Sequence, residues 1–562
     1  MKEFLQRLRA KPLIMAQLLG ASFFVNLLSF ASPLFVMLIL GQYVDSGFDG
    51  TLITLSVGML VALLMQIGFR QARTLMAGLL SIERDREIAH ALFEVLTRAR
   101  TMALLRVPEG AKQEMTGHLQ TVQTAFAPGT VCAMLDAPFS LLFIVATFFL
   151  SPALAWIGLV GMVVTVILGL TSMSANRKSV LEMQRASVAV RGVSSMALAG
   201  ADTVRAYGAG DYLRKVWRGY MGALLDVRER LAGLKGRSIG ANQTLAVLVR
   251  VCIYAWGAKQ CVLGELSFAA LIAANILVSR GIRQASLLVG AVSQLSRAEQ
   301  ALGFLREFFK LPLELQNGTA LRSYSGRLEL KDMAFAYPGG TGPLFESLSL
   351  SLVPGSVTVI HGANGTGKTT MARLLTGLLD PMRGEVLADG ITIRQLAPAW
   401  WRKQLVYVPQ EPEFLAGTIR ENILMANPEA TEDSVDRAVS RAGLARWLGA
   451  SALGLETSMT ELGRNLPLGV RRRIAMARAL ITDGQLAIFD EPLEGLDSEG
   501  AKAAHELIRS LAEQGCTVIV LSHDLAVVDS PHFAVDLNVK PVPTIMRLAP
   551  LPGTAAMEKN HA

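Results

Sequence analysis

The residues Gly362-Ala363-Asn364-Gly365-Thr366-Gly367-Lys368-Thr369 follow the apolar run Val357–Ile360 and precede a helical pattern. Their spacing fits G-x-x-x-x-G-K-[ST] between a strand and a helix, which is the setting that a phosphate-binding loop requires. The glycines allow backbone N–H groups to turn inward around phosphate oxygens, and the following helix presents its positive end. We therefore expect Lys368 to pair with the β- and γ-phosphates of a nucleotide and Thr369 to ligate Mg²⁺.

A second apolar run, Leu486–Phe489, ends in the carboxylates Asp490 and Glu491. Alone, a strand that ends in Asp-Glu is a weak signal, because such carboxylates are often merely solvated. Downstream of a phosphate-binding loop, the pair predicts hydrolysis: Asp490 would hold the Mg²⁺ shell and Glu491 would polarise the attacking water.

The composition indicates a membrane protein. Of the 562 residues, 51% are hydrophobic and 18% are charged, and the mean hydropathy is +0.39, which is too apolar for a soluble protein of this size. A helix needs about 20 residues to cross a bilayer. Six spans are expected, two of them in one run that breaks at Ser151-Pro152. The apolar segments are Leu13–Val44, Thr51–Phe69, Ala137–Asn176, Gly240–Leu263 and Leu266–Leu288.

The formal net charge of +8 has its source in the loops. Basic residues crowd the N-terminus and the stretches Arg70–Asp136 and Arg177–Arg237, whereas the loop Gln42–Gly50 carries Asp45 and Asp49 and no Lys or Arg. With six spans, all basic segments fall on one side, which places both termini in the cytoplasm. The basic excess is thereby explained without a nucleic-acid partner.

Composition shifts divide the chain. We expect an all-α transmembrane domain over residues 1–310, a polar linker over 311–326, an ATP-binding domain over 327–545 and a flexible tail over 546–562. In the third region, short apolar runs alternate with helical patterns, which is typical of an α/β domain with a largely parallel sheet.

The order of the motifs resembles that of ABC-type ATPases. Between and after the two motifs above come Val408-Pro409-Gln410, the segment Leu466 to Arg478, and Leu521-Ser522-His523-Asp524. The resemblance implies that Tyr337 stacks on adenine, Gln410 reaches Mg²⁺ and His523 contacts the γ-phosphate. The implied catalytic residues are Glu491, His523, Gln410 and Lys368; the implied nucleotide-binding residues are Tyr337, Gly362, Asn364, Gly365, Gly367, Lys368, Thr369, Thr370, Gln410, Asp490 and Gly469; the implied Mg²⁺ ligands are Thr369, Gln410 and Asp490.

A membrane domain followed by an ATPase is the arrangement of ABC exporters, and three membrane segments narrow the resemblance. Ala31-Ser32-Pro33-Leu34-Phe35, Leu135-Asp136-Ala137-Pro138-Phe139 and Ala270–Leu277 are similar to segments of bacterial type I secretion ATPases. That resemblance implies export of an unfolded protein across the inner membrane, driven by ATP and Mg²⁺. It also implies a periplasmic membrane fusion protein and an outer-membrane channel as partners.

The sequence departs from the family in two places. At the signature motif, Leu466-Pro467-Leu468-Gly469-Val470 stands where the family has Leu-Ser-Gly-Gly-Gln, so Pro467 removes a hydroxyl and a backbone N–H that would bind the partner's γ-phosphate. This chain therefore works either as a homodimer with slow sites, which is usual in the resembled family, or in a heterodimer with an intact-signature partner. Near the end of the ATPase domain, Asp536-Leu537-Asn538-Val539-Lys540 replaces the usual final strand and turn.

Three arginines, Arg250, Arg280 and Arg283, interrupt the last two spans. Charges at membrane depth are functional candidates, and we interpret these as facing a water-accessible lumen; Arg280 and Arg283 lying at cytoplasmic depth is the alternative. Two other functions stay open: an exporter of lipids or small molecules, and a nucleotide-binding regulatory half of a heterodimer. ABC ATPases that act on DNA or ribosomes are excluded by the six spans.

Overall fold

Within residues 2–44, 47–340 and 342–550, which the computed structural model describes, the N-terminal half of the chain is helical. Asp45 of the acidic loop and residues 551–562 of the predicted tail lie outside the described residues. The helices are α1 (Lys2–Ala10), α2 (Pro12–Leu28), α3 (Ala31–Leu38), α4 (Asp49–Arg98), α5 (Thr101–Leu105), α6 (Glu109–Ala125), α7 (Pro128–Leu150), α8 (Pro152–Ala199), α9 (Ala201–Ala206), α10 (Gly210–Val262) and α11 (Phe268–Phe309), with a π-helical turn at Ile39–Tyr43.

In the described part of the chain, five helical segments are long and apolar enough to cross a membrane: Pro12–Tyr43, α4, α7, α8 and α10. The predicted sixth span, Leu266–Leu288, lies mainly on α11, which is not one of these five segments. Arg280 and Arg283 interrupt its apolar run. The predicted break between two spans falls at Ser151, whose side chain accepts a hydrogen bond from the Leu154 N–H and caps α8. Proline at the first position of α8 fits there because its missing N–H has no partner in a first turn.

Glycines let the membrane helices approach closely. A Cβ at Gly161 of α8 would lie 2.5 Å from Val249 of α10, and one at Gly158 would lie 2.8 Å from Val278 of α11. Small residues at such contacts are the usual means by which helices pack in membranes, where burial of apolar surface gives little drive for association.

A buried polar network joins α2, α4, α7 and α11. Arg73 Nη1 lies 2.7 Å from Asp136 Oδ1, and Asn26 Nδ2 donates to the same oxygen at 2.8 Å. Gln284 in turn donates to Asn26 Oδ1 at 2.6 Å. Because each of these side chains has a partner from another helix, the network specifies how the four helices align.

The chain separates into two compact units, Met1–Thr97 with Val107–Leu311 and Arg98–Arg106 with Pro312–Ala562. We call the first the membrane unit and the second the C-terminal unit. The short helix α5 belongs with the C-terminal unit, although in the sequence it lies between two helices of the membrane unit. An ion pair of 3.1 Å between Arg100 and Asp380 contributes to its attachment.

The C-terminal unit is α/β. Its strands are β1 (Leu328–Phe335), β2 (Phe345–Leu352), β3 (Val357–His361), β4 (Arg383–Ala388), β5 (Ile391–Thr392), β6 (Leu405–Val408), β7 (Gly417–Thr418), β8 (Ser458–Met459), β9 (Leu486–Asp490), β10 (Thr517–Ser522), β11 (Phe533–Asp536) and β12 (Thr544–Arg547). Its α-helices are α12 (Lys368–Leu375), α13 (Pro398–Lys403), α14 (Ile419–Leu424), α15 (Glu432–Arg441), α16 (Ala445–Ala450), α17 (Leu468–Leu480) and α18 (Ser498–Glu513).

The central sheet has the order β12-β11-β3-β10-β9-β6, and all its pairs are parallel except β11 with β12. The predicted parallel sheet is thus confirmed. The phosphate-binding loop follows β3, the carboxylate pair ends β9 and His523 follows β10. Because the carboxyl ends of parallel strands meet at one edge, these groups are brought together there.

Candidate functional site

The loop between β3 and α12 has the backbone that its glycines allow. Gly365 and Gly367 have φ values of +84° and +108°, which residues with a Cβ rarely adopt. A Cβ at Gly367 would also lie 2.5 Å from Leu344, and one at Gly362 would lie 2.5 Å from the Thr366 hydroxyl. Asn364 lies exposed at the tip of the loop.

Lys368 is the first residue of α12, is 7% exposed, and extends its side chain back into the loop. Its Nζ donates to the carbonyl oxygens of Gly362 at 2.7 Å and Ala363 at 3.2 Å. It also lies 3.2 Å from Glu491 Oε1. The ammonium group is therefore held inside the loop, where it would meet nucleotide phosphates.

Glu491 is buried at the end of β9, with a φ of +50°. A positive φ in a residue other than glycine stores strain and is common at functional sites. Its Oε2 lies 3.1 Å from His523 Nδ1, and the Ser522 hydroxyl donates to it at 3.4 Å. His523 is 67% exposed, so its ring borders solvent beside the carboxylate.

The residues present fit a Mg²⁺ ion. Both carboxylate oxygens of Asp490 are buried and have no well-aligned hydrogen bond, so a cation would supply the interaction they lack. Burial raises the pKa of Asp490 to about 6, although the nearby Thr369 hydroxyl opposes the rise. The Thr369 hydroxyl donates to Gln410 Oε1 at 3.3 Å. One carboxylate with neutral oxygens and substrate phosphates is the ligand set that Mg²⁺ commonly takes.

Two residues beside this set carried no signal in the sequence. Gln410 Nε2 donates to Glu494 Oε2 at 3.2 Å, and Arg472 Nη2 donates to the same oxygen at 3.3 Å. Arg472 Nη1 also donates to the Glu491 carbonyl at 3.1 Å. Hydrogen bonding by Gln410, with Arg472 beside it, lowers the pKa of Glu494. Glu494 and Arg472 thus connect α17 with Gln410.

Tyr337, the implied adenine platform, lies next to the start of α12. Its hydroxyl and that of Thr370 are 3.0 Å apart. Its ring meets Phe335 edge to face, with centroids 5.0 Å apart. The half-buried ring therefore stands beside the start of α12, next to the phosphate-binding loop.

The signature segment forms the start of α17. Pro467 is the N-cap residue, with φ −57° and ψ 147°, and the helix begins normally after it. Leu468 is exposed, and it lies against Gly495, where an added Cβ would approach the Leu468 side chain to 2.9 Å. Gly469 packs beside Gly495: a Cβ added at Gly469 would lie 3.6 Å from the Gly495 carbonyl oxygen. The helix is intact, and Pro467 and Leu468, which differ from the family pattern, are exposed at its N-terminus.

A cavity of about 1130 Å³ lies between α8, α10 and α11 of the membrane unit. Among the described residues that line it, four are basic and none is acidic; the basic ones are Arg191, Arg228, Lys235 and Arg297. The buried Oδ1 atoms of its lining residues Asn176 and Asn242 have no hydrogen-bond partner among the described residues. The cavity therefore suits a ligand that carries negative charge and hydrogen-bond donors.

None of the three arginines singled out in the sequence lines that cavity. The Arg280 side chain donates to the Ser29 carbonyl, at the break between α2 and α3. Arg250 and Arg283 have exposed side chains on α10 and α11.

Comparison with known proteins covers both units. The family model for the ABC transporter transmembrane region matches residues 15–285, and the ABC transporter model matches residues 345–494. The chain is 28% identical to the type I secretion system ATP-binding protein PrsD of Rhizobium meliloti (strain 1021), over 90% of the chain and 86% of the relative. It is 25% identical to the alpha-hemolysin translocation ATP-binding protein HlyB of Escherichia coli O157:H7, over 92% of the chain and 73% of the relative.

A relative of different description is similarly close. The mitochondrial potassium channel ATP-binding subunit of Xenopus tropicalis is 31% identical over 70% of the chain and 57% of that protein. Among solved structures, a bacterial Atm1-family ABC exporter with ATP bound has the same fold, with a TM-score of 0.82 and 20% identity over 98% of this chain and 97% of that one.

Proposed function

The chain belongs to the ABC transporters, with a transmembrane region and an ATP-binding domain fused in one polypeptide, and we propose that it exports an unfolded, acidic polypeptide across the bacterial inner membrane. ATP hydrolysis coupled to transport is the activity of the family. The cargo, the membrane and the assembly are the parts that we add.

In the ATPase site, each residue has a chemical task in this proposal. Glu491 is the general base that polarises the attacking water, and His523 beside it contacts the γ-phosphate and orients the carboxylate. Lys368 binds the β- and γ-phosphates once ATP enters the loop. Thr369, Gln410 and Asp490 would hold Mg²⁺, which neutralises charge on the phosphate oxygens.

The cationic cavity carries the cargo proposal. Arg228, Lys235 and Arg297 have no carboxylate within 4.0 Å among the described residues, so their charges are available to a ligand, whereas Arg191 has Glu114 at 3.7 Å. A pathway lined by one sign of charge concentrates ligands of the opposite sign. Backbone N–H groups of an unfolded chain would satisfy Asn176 and Asn242. The relatives PrsD and HlyB, a type I secretion system protein and an alpha-hemolysin translocation protein, support the same cargo class.

The proposed assembly follows the type I secretion relatives. It is a homodimer, with both termini in the cytoplasm, that works with a periplasmic membrane fusion protein and an outer-membrane channel. The positive loops described above support this orientation. A heterodimer with an intact-signature partner is the competing assembly, which the altered residues Pro467 and Leu468 favour.

Export of a lipid is a second candidate, because a groove of about 710 Å³ between α8 and α10 is lined mainly by apolar residues, among them Trp156 and Trp256. The two cargoes predict different stimulation of the ATPase. In proteoliposomes, an unfolded acidic peptide should raise ATP turnover, whereas a basic peptide of equal length should not.

The charge argument is tested with two triple variants. Arg228→Gln with Lys235→Gln and Arg297→Gln should abolish stimulation by the acidic peptide and leave basal turnover unchanged. The control neutralises Lys215, Arg218 and Arg237, three exposed basic residues of α10 that do not line the cavity. Equal stimulation by both peptides, or stimulation that survives the first triple variant, would contradict an acidic polypeptide cargo; stimulation by lipid alone would favour the second candidate.

A further inference from the structure

The segment after β11 departs from the family pattern, and the structure places it against the phosphate-binding loop. Asn538 Oδ1 accepts a hydrogen bond from the Ala363 N–H at 2.8 Å. Lys540 Nζ donates to the Thr366 carbonyl at 2.7 Å and also to the Leu344 carbonyl. Two side chains of this segment therefore hold the loop from outside, while Lys368 holds it from within.

Asn538 is itself fixed by the strand that precedes it. Both its backbone N–H and its Nδ2 donate to Asp536 Oδ1, each at 2.8 Å. Asp536 ends β11 and lies 3.5 Å from His361 Nε2, at the end of β3. The amide nitrogen of Asn538 is thus occupied by Asp536, which leaves its oxygen directed at Ala363. Asp536 is the register partner of His361 in the parallel pair of β11 and β3, so the anchor is part of the central sheet.

These contacts set the direction of two peptide planes. In a planar trans peptide, the C=O and the N–H point to opposite sides. The plane between Gly362 and Ala363 has its N–H on Asn538 and its C=O on Lys368. In the plane between Thr366 and Gly367, Lys540 holds the C=O, so the Gly367 N–H points to the other side, away from Lys540.

A restraint from outside the loop matters here because the glycines within the loop do not restrain its peptide planes. Gly365 and Gly367 adopt positive φ values without strain, so the peptide planes beside them can rotate at little cost. A phosphate-binding loop works by presenting N–H groups that already face the anion. Donors that are oriented before binding lose less free energy on binding than donors that must first be ordered.

We propose that Asn538 and Lys540 form a clasp that fixes the backbone of the phosphate-binding loop before the nucleotide binds. Lys540 directs the Gly367 N–H toward the phosphates, and Asn538, which accepts from the Ala363 N–H, anchors the start of the loop. They are positioning residues, since each acts through the loop backbone and does not touch the nucleotide. Because the proposal concerns nucleotide binding alone, it is independent of the cargo.

The test compares nucleotides that differ in phosphate number. In the full-length protein in lipid nanodiscs, Lys540→Met should weaken binding of trinitrophenyl-ADP about tenfold, the effect of losing one charge-assisted hydrogen bond. Binding of trinitrophenyl-AMP, which reaches less of the loop, should change less than twofold. Lys540→Arg should restore most of the ADP affinity. Lys403→Met, at an exposed lysine of α13, is the matched control and should change neither affinity.

Hydrogen exchange separates positioning from folding. Asn538→Ala should speed exchange of the Ala363 amide while amides in β3 and β10 keep their protection. Unchanged ADP affinity in both Lys540→Met and Asn538→Ala would overturn the proposal. So would an equal loss of ADP and AMP binding together with exchange throughout the sheet, because that result would assign the two residues to folding.

Discussion

Lys368 Nζ lies 3.2 Å from Glu491 Oε1, and both side chains are buried in the same site. The cation that should bind phosphate is therefore paired with the carboxylate that should activate water. We expect an incoming γ-phosphate to compete with Glu491 for Lys368, which would free the carboxylate to accept a hydrogen bond from water. In the proposed mechanism, the ion pair would therefore couple phosphate binding to the availability of Glu491 as the general base.

This pair predicts opposite effects of Glu491→Gln on binding and turnover. The substitution removes the base and should lower ATP turnover by about 10²–10⁴-fold. It also removes the charge that competes for Lys368, so ATP affinity should be equal or higher. Steady-state hydrolysis and nucleotide binding in proteoliposomes measure both. Glu506→Gln, on the exposed face of α18, is the control; a variant that loses ATP binding with turnover would contradict the role of the pair.

Asp490 predicts a dependence of stability on pH. Burial raises its pKa to about 6 from the ordinary value of 3.8. A carboxyl group with a raised pKa contributes stability below its unfolded pKa, and this contribution is lost as pH rises through the folded value. Asp490→Asn should therefore stabilise the nucleotide-free protein, by about 2–3 kcal/mol at pH 8 and by about 1–2 kcal/mol less at pH 5.

The measurement is the thermal unfolding of the ATP-binding unit within the full-length protein, in detergent, at pH 5 and pH 8. Saturating Mg²⁺ and ATP should reverse the order of stability, because the wild-type carboxylate then has its cation. A gain in the variant that is equal at pH 5 and pH 8 would show that burial of the Asp490 charge is not its cause.

Much of this ATPase site was predictable because its motifs are local. The strand before Gly362 and the strand before Asp490 are short apolar runs that end in the residues they position, and the parallel sheet aligns their ends. The contacts of Glu494 and of Lys540 were not predictable, since they join segments far apart in the sequence through single exposed side chains. No periodicity or spacing marks such a contact.

In the membrane unit, too, some features were predictable from the sequence and others were not. Hydropathy predicted the break at Ser151, because a run too long for one span must be interrupted. It did not predict which basic residues share a cavity. Arg228 and Lys235 lie on α10 in a stretch rich in charge, where the sequence distinguishes no helix face. Arg250 was predicted to face a lumen only because its neighbours in the sequence are apolar. The placement of α5 in the C-terminal unit likewise has no sequence signal.

Glu494 predicts a change in metal dependence. Its bond to Gln410 Nε2 turns the amide so that the oxygen faces Thr369. Glu494→Ala removes that restraint, and the Mg²⁺ concentration for half-maximal turnover should rise about three- to tenfold, the effect of one hydrogen bond. Mn²⁺ binding in the presence of a non-hydrolysable nucleotide provides a readout that is independent of turnover. Glu499→Ala, at a surface ion pair with Arg446, should leave it unchanged.

Asp136 predicts a large effect on the stability of the membrane unit. Its Oδ1 is 2.7 Å from Arg73 and also accepts from Asn26. Asp136→Ala leaves a buried guanidinium without its partner, which costs about 3–5 kcal/mol. We expect a sharp loss of folded protein in detergent by size-exclusion chromatography. The double variant Asp136→Ala with Arg73→Met should recover part of it; no recovery would mean that the pair is not the source of the loss.

Pro467 predicts which dimer is active. A helix start normally offers free N–H groups to an anion, but at this position proline has none and Leu468 adds a side chain where the backbone would approach phosphate. Pro467→Ser with Leu468→Gly keeps α17, since serine is a good N-cap residue. It restores the backbone N–H and the hydroxyl at position 467 and removes the side chain at position 468.

If two copies of this chain form the sites, the double variant should hydrolyse ATP about 10²-fold faster than wild type in proteoliposomes, the typical effect of a transition-state donor. In a heterodimer the same substitution adds a donor to the partner's site alone, so turnover by this chain purified by itself should stay near zero without its partner. Adding Glu491→Gln to the double variant should abolish any gain, and a gain that survives it would show that the added turnover does not come from this site.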